Sequence, residues 1–131
     1  MKNSSDNQEL IGLILGAIQE PYLTAWFRSF VFDEGCINCA FIQPKDKPRN
    51  YKNLSLSPIR ERLKEMLLAK RRIDAREPGN EWTYITITLR DDGDHSVEFG
   101  YKDPKKVDMH RVNTEWMKTA LSGLKLIPDK R

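Results

Sequence analysis

The sequence holds only two cysteines and two histidines in 131 residues, and that scarcity removes several chemistries at once. Cys36 and Cys39 cannot build a disulfide framework, and a reducing compartment is the default for such usage. They form C-x-x-C, but inside a run of strand character, where residues three apart face opposite sides. A redox motif begins a helix, whose positive end lowers the thiol pKa. Zinc needs two further ligands, and His95 and His110 stand at no recognisable spacing for that. There is no G-x-S-x-G turn, no Gly-rich phosphate loop and no H-E-x-x-H. No catalytic set and no cofactor site is therefore read, and the chain is expected not to be an enzyme. The longest apolar run, Leu10 to Ile18, falls well short of the roughly 20 residues that span a bilayer. Lys2, Asp6 and Glu9 accompany it with no small-residue cleavage site, so a cytoplasmic protein without a secretory signal is expected.

What is present is charge, unevenly placed. The formal net charge is only +3, with 39% hydrophobic and 31% charged residues, a composition ordinary for a globular chain. From Arg60 to Arg76 seven basic residues face three acids. From Glu77 to Tyr101 six acids face Arg90 alone. A positive segment abuts a negative one, which suits charge-steered association.

The periodicities predict one α+β domain over residues 1–131, in the order α-β-β-α-β-β-α. Asn3 to Asp6 supply N-cap candidates for a helix with Leu10, Leu13, Ile14, Ala17 and Ile18 at helical spacing, stopped by Pro21. "TAWFRSFVF" and "CINCAFIQ", joined by Asp33, Glu34 and Gly35, read as a β-hairpin. The polar, proline-bearing stretch Pro44 to Asn53 reads as a loop. Ser57 as N-cap and Pro58 at N1 open a second helix, with Ile59, Leu63, Met66, Leu67 and Ile73 on its apolar stripe and the Arg and Lys residues outward. A second hairpin follows: Thr83, Ile85, Ile87 and Leu89 point one way, Trp82, Tyr84, Thr86 and Thr88 the other. Val97, Phe99 and Tyr101 share a face of its return strand, and Glu98 turns to the opposite face. Val112, Trp116, Ala120 and Leu124 mark a last helix, with Asn113 or Thr114 as caps and Gly123 at its end. The two hairpins are expected to form a mainly antiparallel sheet with helices against one face.

The second hairpin's tip gathers Asp91, Asp92 and Asp94, with Glu98 and Asp103 further along. A calcium loop needs alternating oxygen ligands over about 12 residues and a closing Glu, and this spacing does not supply them. A divalent nuclease site draws carboxylates from several elements together with a Lys or His. Docking to a positively charged partner is the better reading, beside the plain one that acidic turns serve turn chemistry and solubility. The basic segment 58–76 offers an alternative, a nucleic-acid-binding module. Its cations lie around the polar arc with Glu61 and Glu65 as i,i+4 partners, so a solvated helix face is the simpler account.

"EWTYITITLRDDGDHSVEFGY" followed by "RVNTEWMKTAL" resembles the YezG-like family of bacterial immunity proteins. The matching positions are Trp82, Asp92, Gly93, Phe99, Tyr101 and Trp116, with Gly100 standing where the pattern carries an acid. The resemblance runs from about Glu81 to Leu121 by motif. It implies a cytosolic α/β protein that binds and neutralises the C-terminal domain of a polymorphic or contact-dependent-inhibition toxin, often a nuclease. Nuclease toxins are commonly basic, and Asp91, Asp92, Asp94, Glu98 and Asp103 are the residues expected to meet such a partner. Neither membrane nor nucleic acid is expected to be bound.

Overall fold

The aromatic run beginning at Tyr22 becomes the middle of a sheet. The computed structural model describes residues 4–32, 34–103 and 106–127. In chain order the elements are α1 (Ser4–Ala17), β1 (Tyr22–Val31), β2 (Cys36–Pro44), β3 (Asn50–Asn53), a short 3-10 turn (Ser57–Ile59), α2 (Arg60–Asp74), β4 (Tyr84–Arg90), β5 (His95–Gly100), α3 (Met109–Ala120) and β6 (Lys125–Leu126). The six strands lie in the order β5-β4-β1-β2-β3-β6. All pairings are antiparallel except β3 with β6, which is parallel.

Both expected hairpins are present, and β1 pairing with β4 joins them at the centre, Phe27 opposite Ile87. Two strands were not expected. β3 lies in the stretch read as a loop, because "NYKN" offers Tyr51 as its one apolar residue. Tyr51 packs edge-on against Phe41, 5.7 Å between ring centroids. β6 is just two residues long, held by backbone bonds from Lys125 N–H to Arg49 O (3.0 Å) and from Ile127 N–H to Tyr51 O (2.8 Å). Pairings this short leave no periodicity to read.

The expectation of helices on one face is also corrected. β1 is buried along almost its whole length, the mark of a strand covered on both sides. Ala25, Phe27 and Val31 face the main core, which α1 and α2 close with Leu10, Ile14, Leu63 and Leu67. Trp26 faces the other way, into a smaller cluster with Phe41 and Leu121, against which Trp116, Met117 and Ala120 of α3 pack. Each large side chain fully buried in the main core contributes about 1.5–3 kcal/mol. The two cysteines divide in the same way: Cys36 packs against the main core and Cys39 against the smaller cluster.

Five local expectations fail. Ser57 makes no capping bond; the chain enters α2 through the 3-10 turn instead, with Pro58 in its first positions. α3 starts earlier than read, because Asp108 Oδ1 accepts from the N–H groups of His110 (3.0 Å) and Arg111 (3.3 Å). Trp82 precedes the strand and so escapes its alternation. It is fully buried on the core side, its indole N–H donating to Asp74 Oδ2 at 2.9 Å. That bond is half of a buried polar knot. Lys70, expected outward, is 5% exposed, lies 3.4 Å from Asp74 and sits over the Phe99 ring. Ile73, assigned to the apolar stripe, is exposed instead.

Candidate functional site

The tip of the β4–β5 hairpin is held by its own backbone. Arg90 N–H donates to Asp94 O (2.9 Å) and Gly93 N–H to Arg90 O (3.0 Å). Gly93 has φ 92°, a conformation that favours glycine. One Asp92 oxygen accepts from Asp94 N–H at 2.9 Å, the Asx arrangement that makes Asp a turn former. Asp91 N–H donates to Leu23 O (3.0 Å), tying the tip to β1. Its carboxylate lies 3.4 Å from Lys45 Nζ. The Tyr22 phenol nearby is pushed above its ordinary pKa, first by burial and then by the Asp91 charge.

The five carboxylates named from the sequence do not form one cluster. Asp91, Asp92 and Asp94 stay together and exposed at the tip. Glu98 lies halfway along β5 opposite Thr86, exposed on the α3 side of the sheet. Asp103 lies three residues beyond the far end of β5, a strand that spans about 20 Å at the usual rise per residue. Among the described residues no three His, Cys, Asp or Glu side chains are grouped to hold a metal ion. His95 starts β5, exposed and outside any such group.

The basic helix is less free than its sequence suggests. Lys70 is enclosed with Asp74, Arg71 donates its Nε–H to Trp82 O at 3.1 Å, and Arg62 lies 3.6 Å from Glu65. Arg60, Lys64, Arg72 and Arg76 remain exposed. No helix among the described residues is long and apolar enough to cross a membrane.

A second centre was not found by the sequence reading. Arg28, in the middle of β1, is 9% exposed. Its guanidinium carbon lies 4.9 Å from the centroid of the Tyr84 ring and 4.6 Å from that of Trp116. Its Nε–H donates to Thr86 Oγ1 at 2.9 Å. Burial lowers its pKa from the usual arginine range, opposed by Tyr84, Cys39 and Glu98; a guanidinium starts so high that it stays charged. Burial also drives the Cys39 thiol up to about 11, only partly countered by Arg28. The available signal was a lone charge inside "WFRSF", which strand alternation places on the same face as Trp26 and Phe30.

Compared with known proteins, the chain matches no family model and no curated protein.

Proposed function

We propose that this protein is an immunity-type inhibitor, which binds the basic C-terminal domain of a bacterial toxin through the tip of the β4–β5 hairpin and acts by occupying it. The observation that carries the reading is the tip itself: three exposed carboxylates on a backbone fixed by hydrogen bonds to itself and to β1. A rigid anionic point of this kind steers a cationic partner during encounter and loses little conformational freedom on docking. Its placement also fits. β5 is the outer strand of the sheet, so the hairpin projects at an edge rather than inside a layer. The motif resemblance around Trp82, Asp92, Gly93 and Trp116 supports the same class of partner. Separation along β5 narrows the docking residues to Asp91, Asp92 and Asp94, with Glu98 at the periphery and Asp103 outside.

The test is co-expression with the toxin domain encoded next to the gene, followed by association kinetics. Asp91→Lys with Asp94→Lys is expected to slow association by about tenfold or more at low salt and to flatten its salt dependence. An on-rate unchanged in that double variant removes the hairpin from the interface. A neighbouring locus that encodes nothing toxic removes the class.

A further inference from the structure

We infer that the cleft bordered by the start of β4, Lys102, Lys106 and the first turns of α3 is a binding site for a phosphorylated small molecule, its phosphate seated on the terminal nitrogens of Arg28. The cleft has a volume of about 580 Å³ and is lined by Arg28, Tyr84, Lys102, Lys106, Arg111 and Trp116 among others. That size falls within the range of small-molecule sites.

Enclosing a cation without an anion is unfavourable, and enclosed charges are as a rule paired. Arg28 has no carboxylate within ion-pair distance among the described residues. Two aromatic faces and one threonine hydroxyl hold its Nε and its plane. The two terminal nitrogens make no hydrogen bond to described residues, and neither is sealed away from the cleft that Arg28 lines. Arg28 thus lines the cleft with Nε committed to Thr86 and its plane held between two rings, which leaves its terminal nitrogens as the donors a phosphate would take by two parallel bonds.

The surrounding charge selects the ligand. Lys102 and Lys106 make no ion pair among the described residues and border the same cleft. Of its two acids, Glu115 lies 3.2 Å from Arg111 Nε, and Asp108 caps α3 while keeping its charge. Glu98, on the same face of the sheet, adds a field at Arg28 but no ion pair. Four cations and two acids line the cleft, a net charge of +2 that matches a phosphate dianion better than a single carboxylate. The site shares no residue with the acidic tip, so its failure leaves that reading untouched.

The experiment titrates the full chain with inorganic phosphate and phenyl phosphate, followed by calorimetry and by the Arg28 Nε–H resonance. Saturable binding of phenyl phosphate at about 1 mM or tighter is expected, with the Arg28 resonance moving. Lys102→Ser with Lys106→Ser, both at exposed positions, is expected to weaken it at least about fivefold, and Arg28→Lys at least about tenfold. Because the lysine pair is exposed, its variant tests the site even where Arg28→Lys fails to fold. Three results overturn the assignment: no saturation by about 10 mM phenyl phosphate, affinity unmoved in the lysine double variant, or equal binding of succinate. Binding of a single-stranded oligonucleotide that tightens with its length overturns the small-molecule reading in favour of a nucleic-acid groove.

Discussion

Gly100→Ala should be among the most costly small substitutions in this chain. Gly100 pairs directly with Tyr84 across β4 and β5. A Cβ placed there would lie 1.8 Å from Tyr84 Cζ, with two more ring carbons within 2.3 Å. No adjustment of tenths of an ångström accommodates that, so the ring must leave. Its departure forfeits the stacking on Phe30, 5.0 Å between centroids, and the face offered to Arg28 at 4.9 Å. The first is worth about 0.5–1.5 kcal/mol and the second about 1–2 kcal/mol where water is excluded. Repacking adds about 1 kcal/mol. The expected loss is therefore about 2–4 kcal/mol, against a small gain from replacing a strand glycine. Urea denaturation measures it directly, and thermal unfolding should fall by roughly 10 °C. The decisive control is a cycle with Tyr84→Ala. Once the ring is gone, Gly100→Ala should cost almost nothing, giving a coupling of at least about 1 kcal/mol. Full additivity of the two substitutions, or a single-variant loss below about 0.5 kcal/mol, would refute the account of ring over glycine.

Two more outcomes follow from the buried groups. Lys70→Met strands Asp74 in the core and should cost about 3–5 kcal/mol by urea denaturation, while Lys70→Met with Asp74→Asn should recover most of that loss. Equal losses for the two would show that the pair contributes nothing specific. In a Cys36→Ser background, labelling of Cys39 should stay slow at pH 8 and accelerate only as pH approaches about 11. The linkage has a definite sign. A thiol whose pKa rises on folding contributes stability fully below its ordinary value of 9.0, and that contribution is lost as pH climbs through about 11. Half-maximal labelling near pH 9 would place Cys39 in water.

Much of the architecture was legible because it is periodic. The two hairpins, the apolar faces of Leu10–Ile14–Ala17 and Leu63–Leu67, and the glycine turn at Gly93 each follow from spacing that local physics enforces. What escaped were features fixed by tertiary neighbours. β3 exists because β2 offers it an edge, and β6 because β3 does, and neither has a pattern of its own. Trp82 sits two residues before its strand, where alternation no longer applies, and its indole N–H meets Asp74. The aromatic positions Trp26 and Phe41 announced burial but not which helix would cover them, so the placement of α3 on the second face stayed hidden. For the candidate site, the sequence indicated which carboxylates cluster in number. Only the strand path separates Asp103 from the tip and reveals Arg28 between two rings.

The unequal filling of the two sheet faces has a consequence for how the molecule comes apart. α1 and α2 are locked to β1 through a large contiguous interior, whereas α3 rests on a handful of contacts around Trp26, Phe41 and Leu121 and on the Trp116–Arg28 stack. An opening of that lesser cover costs far less than unravelling the whole chain. Peeling α3 away would hydrate Arg28 and leave the hairpins standing, so local opening is expected to be cheaper on that side than on the other.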